Sequence, residues 1–428
     1  MGDFVNYTPG EYAKEHIRIT PTTLADGRDF FYLDDDPEYV SGVKTRELKD
    51  PRQLPYRFSN QLNAAGEEVP YAAPEMRRDP LTGDWIPMAT ARMNRPITAG
   101  PGATAKGNPL AARKPGDPYQ DGEVPDTDYN VVVFENRFPS MVRVPGRSEA
   151  VEYVNGNPLW EKKLAAGRCE VICFDPDEDG LPADLPVSRL RTVVEAWAFR
   201  TAEISKMEGI EQIFPFENHG QEIGVSLAHP HGQVYCYPFI APKMEAELKQ
   251  TEAYHEKTGG NLLKDLMNAE IEAGERIVMR NHSWVAYVPA AARWPLEVHV
   301  APVRDVLTLD ELNDQERWGS GRHVLHPAQA RQRVLRQGRW QGHGPAVHRC
   351  LASGPDPRQA PRELPPQPAV LLVPPRRQQD QVSGRLRIRH GRMGVRHHAG
   401  THRQALPRAR TNRHRRLKAN KTQRTKHQ

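Results

Sequence analysis

The amino-acid sequence predicts an α+β fold in which helices pack on an antiparallel sheet. Short segments rich in β-branched and aromatic residues outnumber the helical segments and often follow one another closely. The segment 185–207 differs, because its apolar residues recur every three or four positions, which predicts an amphipathic helix. Near-neighbour strands of this kind are typical of antiparallel sheets with helices laid on one face.

The other predicted elements run in order along the chain. Residues 1–75 are polar and turn-rich, and predict an N-terminal extension that packs on a core without forming its own. The segment DPLTGDW, at 79–85, predicts a turn that leads into a short strand, and 97–127 predicts a Gly-, Ala- and Pro-rich loop. Further strands are predicted at 129–138, 169–176, 210–220, 276–289 and 295–304, and further helices at 243–257, at 261–274 and from 309.

The net charge changes sign along the chain. From Trp318 onward there are 22 Arg, 3 Lys and 3 acidic residues, a net charge of +22, whereas residues 1–317 have a net charge of −17. Arg, Pro, Gln and His dominate this tail, 318–428, and no helical or strand period persists in it. One interpretation is a basic arm that binds nucleic acid. The other, which the composition favours, is translation of a GC-rich gene out of frame.

The bulk composition excludes several classes of protein. The sequence has no run of about 18 apolar residues that could span a membrane. Its N-terminus lacks the basic start and apolar core of a secretory signal. The four cysteines, at 169, 173, 236 and 350, form no C-x-x-C pair and predict reduced thiols. We therefore expect a cytoplasmic protein.

The most informative motif is SLAHPHGQVYCYPF, at 226–239. In a strand, His229, His231 and Gln233 would point to the same face. Pro230 would stiffen the backbone, and Gly232 would let a ligand approach the main chain. Neutral imidazole can act as a nucleophile towards phosphorus at cellular pH, which would split a phosphoryl or nucleotidyl transfer into two displacements.

Two neighbours of the histidines could hold a phosphate. Gln233 can donate to a non-bridging phosphate oxygen without acting as a base, and Ser226 can donate from the other side. Two alternatives remain for the histidine pair itself: metal ligands, or polar residues satisfied within a core.

Several motifs resemble those of galactose-1-phosphate uridylyltransferases, a family of the histidine triad superfamily. They cover roughly residues 18–317 and are DPLTGDW with the following arginines, VVVFENRFPS, CEVICFDPD, FENHGQEIGVSLAHPHGQ and YVPAAARWPLEVHVAP. The segment ITPTTLADGRDFFYLDDDPEYVSGVKTREL is similar to the high-GC Gram-positive branch. The resemblance implies a histidine-triad-like fold with two related halves, of which 76–242 is the first and 243–317 begins the second.

The resemblance implies a double-displacement enzyme of galactose catabolism. His231, at the position of the family's nucleophile, would attack the α-phosphorus of UDP-glucose, release glucose 1-phosphate and hold UMP. Galactose 1-phosphate would then take the uridylyl group and leave as UDP-galactose. The alternatives are a phosphorylase of ADP-glucose or of a dinucleoside polyphosphate from the same superfamily, and, outside it, a nucleic-acid-binding protein.

The resemblance also implies which residues contact the substrate phosphates. Gln233 would bind the phosphate oxygens of the covalent intermediate, and Gly224 and Ser226 would line the phosphate path. Arg92 and Arg95 would face the phosphates.

The nucleotide would be held by a second group of residues. Asn218 would hold the nucleotide itself. Uracil and ribose would be surrounded by Phe134, Asn136 and Phe138, with Val171 packing nearby.

The resemblance suggests zinc as a cofactor, and no organic cofactor is expected. Some family members bind structural zinc through a C-x-x-C, a later histidine and the first histidine of H-P-H. Here Asn108 and Ala111 stand at the two thiolate positions and Glu178 at that of the later histidine, so that only His229 remains of the four ligands. We expect the main-chain carbonyl of His229 to orient the imidazole of His231 instead.

The resemblance ends where the composition changes. Family members continue with helices, a strand pair bearing W-H and H-x-H, and a K-Y-L-A-G-like segment. None of these can be recognised in this sequence. Glu247 aligns with a carboxylate that, in some members, joins three later histidines around a second metal. We hypothesise a frameshift near residues 316–318, which would truncate the second half and leave the tail disordered.

The family is commonly dimeric, so we expect a homodimer without membrane or nucleic-acid partners.

Overall fold

A computed structural model describes most of the chain up to residue 320 and two short segments beyond it. The described residues are 16–62, 65–89, 108–119, 122–178, 185–219, 227, 229–293, 297–320, 347–352 and 370–372. For 219, 347–352 and 370–372 only the backbone is described. Among these residues no helix is long and apolar enough to cross a membrane.

The described strands and helices are numbered in chain order. The strands are β1 Arg18–Thr23, β2 Asp29–Asp34, β3 Gln61–Leu62, β4 Glu68–Val69, β5 Glu75–Arg78, β6 Trp85–Met88, β7 Val131–Glu135, β8 Glu152–Tyr153, β9 Glu161–Leu164, β10 Arg168–Cys173, β11 Gln212–His219, β12 His231–Tyr237, β13 Ile277–Arg280, β14 Trp284–Tyr287, β15 His299–Pro302, β16 Val347–Ala352 and β17 Val370–Leu372. The helices are α1 Pro37–Val40, α2 Val187–Ile204, α3 Pro242–Thr258 and α4 Leu262–Ala273.

One large sheet organises the described part of the chain. It contains eleven strands in the order β1-β2-β7-β10-β12-β11-β16-β17-β15-β14-β13. Every pairing described within it is antiparallel. A four-stranded sheet, β6-β5-β9-β8, and a two-stranded ribbon, β3-β4, complete the described strands. The predicted α+β class with an antiparallel sheet is confirmed.

The two faces of the large sheet are covered differently. On one face, alternate strand residues such as Ile172 and Val234 form a core with Trp197 and Phe199 of α2. This is the helix that the three- and four-residue spacing predicts, and it buries that apolar stripe on the sheet. The strand residues in between point to the opposite face, where Phe30, Phe134 and their neighbours form a second apolar cluster.

The helices after β12 begin and end where local chemistry requires it. Helix α3 has Pro242 in its first turn and ends at Gly259, whose φ of 71° is left-handed. The side chain of Asn261 caps α4 by accepting a hydrogen bond from the Lys264 N–H at 3.3 Å. Between the helices predicted at 243–257 and 261–274, one helix therefore ends and the next begins directly.

The N-terminal segment contributes strands to the large sheet, which was not predicted. Strands β1 and β2 are part of the large sheet, with β2 paired to β7. Phe30, Tyr32 and Leu33 are fully buried. An extension that only packs on the core is therefore the wrong description for these two strands, because the apolar run at 30–33 fills both faces of the sheet.

The residues just before the tail are packed against the rest of the chain. The Trp284 indole N–H donates to the Glu316 carbonyl oxygen at 2.7 Å. Arg317 donates to the buried Glu195 carboxylate of α2 at 2.6 Å. Beyond residue 320, the structure places 347–352 and 370–372 in strands of the sheet, where the sequence predicts disorder. The rest of the tail lies outside the described residues.

A buried ionic cluster joins β10 to α2. Glu170 is fully buried and accepts hydrogen bonds from Arg168 at 2.6 Å and from Arg200 at 2.8 and 2.9 Å. Burial alone would raise the pKa of Glu170, but Arg200 and Arg168 outweigh it and lower that pKa to about 2. Arg168 also reaches Asp29 of β2 and Glu135 of β7. The cluster therefore ties the neighbouring strands and the helix together.

We expect the Glu170→Gln variant to lose on the order of 3–5 kcal/mol of unfolding free energy at pH 7, because the buried Arg200 guanidinium loses its counter-charge and Arg168 loses one of its three carboxylate partners. Urea unfolding would measure it. The Glu161→Gln variant, which removes the partly exposed partner of Arg78, is the control and should cost about 1 kcal/mol or less.

The same cluster predicts a pH dependence. Because the folded pKa of Glu170 is below its ordinary value of 4.5, its contribution is present above pH 4.5 and is lost as the pH falls towards about 2. The difference between wild type and the Glu170→Gln variant should therefore shrink over that range. A difference that stays constant down to pH 2 would contradict the assignment.

Candidate active site

His231 is the first residue of β12, between β10 and β11 in the sheet. Its Nδ1–H donates to the main-chain carbonyl oxygen of His229 at 2.7 Å. The other ring nitrogen, Nε2, then carries the lone pair. The side chain is half-buried. The predicted role of the His229 carbonyl in orienting His231 agrees with this geometry.

Gln233 lies in a row of side chains that crosses four strands, here called the Gln233 row. The directly paired residues are Phe134 of β7, Val171 of β10, Gln233 of β12 and Phe216 of β11. Directly paired residues of antiparallel strands have their side chains on the same face. His231 is two positions along the same strand, so its side chain shares that face. The row thus brings together three predicted site residues from distant parts of the sequence.

His229 occupies a different environment from His231. It precedes the strand, and its side chain is buried. Its Nδ1 accepts a hydrogen bond from the Asn108 amide at 2.8 Å, and its Nε2 lies 2.8 Å from the Asp175 carbonyl oxygen and 2.7 Å from the Tyr129 hydroxyl. His229 packs beside Tyr129, which belongs to the same apolar cluster as Phe134 and Val171, but protein groups use both of its ring nitrogens, so that, unlike His231, it offers none to a ligand.

The environment of His229 keeps its ring neutral. Burial, and to a lesser extent the neighbouring His231, lower the pKa of His229 to about 4, although the hydrogen bond to the Asp175 carbonyl opposes the shift. Cys173 of β10 pairs with His231 across the strands. Burial raises the pKa of its thiol, so that no thiolate competes with the imidazole at neutral pH.

The predicted nucleotide-binding residues lie at the edges of the Gln233 row. Asn136 follows β7, and its side-chain oxygen accepts a hydrogen bond from the Phe138 N–H at 2.8 Å, which fixes a turn. Both side chains are half-buried. Asn218 follows Glu217, the partner of Gly232, so the register brings it beside His231. Phe134 is buried and stacks on Phe30 with ring centroids 5.5 Å apart.

The remaining predicted phosphate contacts lie outside the described residues. They are Arg92, Arg95, Gly224 and Ser226. Their assigned roles stay predictions.

Gly232 has a packing role that the sequence interpretation missed. It lies on the face covered by α2, opposite the site. A Cβ atom here would meet the Phe174 ring at 2.9 Å and the Phe216 carbonyl oxygen at 3.0 Å. Phe174 is itself held against Trp197, edge to face. The core behind the strand therefore leaves no room for a side chain at this position, and the predicted approach of a ligand to the main chain stays a prediction.

The residues predicted as metal ligands do not come together. Glu178 is exposed. Glu247 lies on α3, where its carboxylate pairs with Lys243 at 3.4 Å. Among the residues that the structure describes, no group of three or more His, Cys, Asp or Glu could hold a metal ion. The positions that the resemblance assigns to zinc thus do not fit it.

The functional residues that the sequence interpretation missed are Tyr129 and the carbonyl of Asp175, both partners of His229, and Phe216 in the Gln233 row. A local signal existed for Phe216, since strand alternation from Asn218 puts it on the same face. No local signal links the other two to His229.

Fold and site together define a histidine-triad-like protein with a histidine at the head of a central antiparallel strand. The family model of the galactose-1-phosphate uridyl transferase N-terminal domain matches residues 62–241, and that of the C-terminal domain matches 247–331. The chain belongs to the galactose-1-phosphate uridylyltransferase family. The second match extends past the predicted break near residues 316–318.

Individual relatives agree with this assignment. A galactose-1-phosphate uridylyltransferase of Streptomyces lividans is 39% identical over 299 residues, 69% of this chain and 71% of the relative. One from Thermotoga maritima is 32% identical over 245 residues, 57% of this chain and 71% of the relative. The Streptomyces relative confirms the predicted similarity to the high-GC Gram-positive branch.

Solved structures support the same fold. A uridylyltransferase superposes with a TM-score of 0.56 at 26% identity, covering 72% of this chain and 88% of the other. An ADP-glucose phosphorylase from Arabidopsis thaliana superposes with a TM-score of 0.50 at 21% identity, covering 71% and 89%. The second likeness concerns the fold alone.

We expect the Gly232→Ala variant to lose about 1–3 kcal/mol of unfolding free energy, because the added methyl group overpacks the core against Phe174. Urea unfolding would measure the loss. The double variant that also carries Phe174→Leu should lose less unfolding free energy than the sum of the losses in the two single variants. Strictly additive losses would show that the methyl group does not meet Phe174.

Proposed function

We propose that the chain transfers UMP from UDP-glucose to galactose 1-phosphate through a uridylyl group covalently bound to His231. The observation that carries the proposal is the 2.7 Å hydrogen bond from His231 Nδ1 to the His229 carbonyl, which leaves Nε2 as the nucleophilic nitrogen. Family membership supplies the substrate class.

The reaction consists of two displacements at one phosphorus atom. In the first, Nε2 forms a bond to the α-phosphorus of UDP-glucose, and the bond to the bridging oxygen breaks, so that glucose 1-phosphate leaves. In the second, a phosphate oxygen of galactose 1-phosphate attacks the same phosphorus, and the P–N bond breaks. His231 returns to its starting state, and UDP-galactose leaves.

The half-buried Gln233 side chain, two residues along the strand, supports this chemistry. Its amide can donate to the non-bridging oxygens of the bound uridylyl group without competing as a base. A fixed donor stabilises negative charge as it develops at phosphorus. The strand holds both groups on a rigid element, so that neither must be ordered during the reaction.

A nucleotidyl phosphorylase is the second candidate, since an ADP-glucose phosphorylase shares the fold. The two candidates differ in their acceptor. Uridylyl transfer needs UDP-glucose and galactose 1-phosphate, whereas a phosphorylase needs inorganic phosphate. Turnover only of ADP-glucose with phosphate would favour the second candidate.

Three further predictions accompany the proposal. The first is a homodimer, as is common in the family. The second is a cytoplasmic location. The third is a frameshift near residues 316–318, which would deprive the chain of much of its second half and hence of much of the activity proposed above. That frameshift would cause sharply lower turnover than in intact relatives, even though His231 is still in place.

We expect the His231→Ala variant to lose covalent labelling when the chain is incubated with UDP-glucose labelled in the uridylyl group, because the proposed nucleophile is removed. Labelled protein after gel filtration would be the measurement. The matched control is the His299→Ala variant, which removes another half-buried histidine at the head of a strand of the same sheet. Label that persists on the His231→Ala variant would refute the assignment.

A further inference from the structure

We propose that a hydrogen-bond network around His229 takes the place of a structural zinc ion and positions the nucleophile without metal. The network consists of the Asn108 amide, the Tyr129 hydroxyl and the main-chain carbonyl of Asp175. The proposal rests on the proposed function only for the role of His231 as nucleophile.

The orientation of the Asn108 amide is fixed by its neighbour. Its Oδ1 accepts a hydrogen bond from the Leu110 N–H at 3.0 Å. The nitrogen of the amide must then point the other way, and it donates to Nδ1 of His229 at 2.8 Å. Nδ1 therefore acts as an acceptor, and its lone pair is occupied by an amide hydrogen.

The other nitrogen of His229 carries the proton. Nε2–H faces the Asp175 carbonyl oxygen at 2.8 Å and the Tyr129 oxygen at 2.7 Å. The Tyr129 hydroxyl can itself donate to the carbonyl oxygens of Asp175 or Leu110, at 2.8 and 3.2 Å. A metal ion binds imidazole through an unprotonated nitrogen. Neither nitrogen of His229 offers a lone pair for one.

The other positions that the resemblance assigns to zinc offer no better ligands. A structural zinc site takes four cysteine, histidine or carboxylate ligands. The side chain of Ala111 has no lone pair, and the Asn108 amide oxygen is used by Leu110. Glu178 is exposed. The donor set therefore matches a hydrogen-bond network and not a zinc ion.

The network acts on the nucleophile through the backbone. The His229 side chain is 2% exposed, and Tyr129 and Leu110 pack in the apolar cluster beside it. A ring held at both nitrogens fixes the main chain at 229, and the carbonyl there accepts the hydrogen bond from Nδ1 of His231. Asn108 is thus a positioning residue, which selects the ring orientation and tautomer of His231 without contacting it.

The test uses the full-length chain and two variants with the same chemical change. Asn108→Asp keeps the acceptor for Leu110 and removes the donor to His229. Asn157→Asp is the matched control, because Asn157 Oδ1 accepts from the Leu159 N–H at 3.0 Å in an equivalent turn without a histidine. Nitrogen-15 NMR of the imidazole rings reports the tautomers, and elemental analysis after purification in zinc-containing medium reports the metal.

We expect substoichiometric zinc at His229 in the wild type, the Nε2–H tautomer for His229 and the Nδ1–H tautomer for His231. The Asn108→Asp variant should change the signals of both rings, whereas Asn157→Asp should change neither. Ten tail histidines can bind zinc non-specifically, so only zinc that is lost in the His229→Ala variant counts as bound at this site.

Stoichiometric zinc that depends on His229 would overturn the proposal, as would an Nδ1–H tautomer of His229 in the wild type. Unchanged histidine signals in a folded Asn108→Asp variant would do the same. If that variant does not fold, the tautomers and zinc content of the wild type still decide between the hydrogen-bond network and a zinc ion at His229. None of these measurements needs turnover, so a failure of uridylyl transfer would count against the proposed function and leave this result standing.

Discussion

The hydrogen bond between Nδ1 of His231 and the carbonyl oxygen of His229 is the interaction on which the site depends. It selects the ring tautomer and fixes the direction in which Nε2 points. Proline between the two histidines stiffens the backbone that sets this distance. A nucleophile oriented in the resting state need not be ordered when substrate arrives, and this lowers the entropic part of the barrier.

The sheet supplies the rest of the geometry. Antiparallel register puts Phe134, Val171 and Gln233 in one row, and a slip by one residue would turn every one of them to the α2 face. The buried cluster around Glu170 opposes such a slip, because its carboxylate must meet guanidinium groups from its own strand and from α2. Packing of Gly232 against Phe174 holds the neighbouring strand, β12, against the residue that follows β10.

Local patterns in the sequence predicted the strands, α2 and the shared face of His231 and Gln233, because strand and helix periods act over a few residues. They could not predict the surroundings of His229. Its partners Asn108 and Tyr129 are 121 and 100 residues away in the chain, and only the folded sheet brings them together. The sequence suggests only ligand approach as the reason for Gly232, because the packing of Phe174 behind it becomes apparent only in the folded sheet. The turn-rich composition of residues 1–75 likewise concealed two strands of the sheet.

The most direct test is to determine which atom carries the uridylyl group. After incubation with UDP-glucose and handling at alkaline pH, nitrogen-15 and phosphorus NMR of the labelled chain would identify the phosphorylated ring nitrogen. We predict a phosphoramidate at Nε2 of His231, because Nδ1 is held by the His229 carbonyl. Attachment at Nδ1, or at any other residue, would contradict the role given to that hydrogen bond.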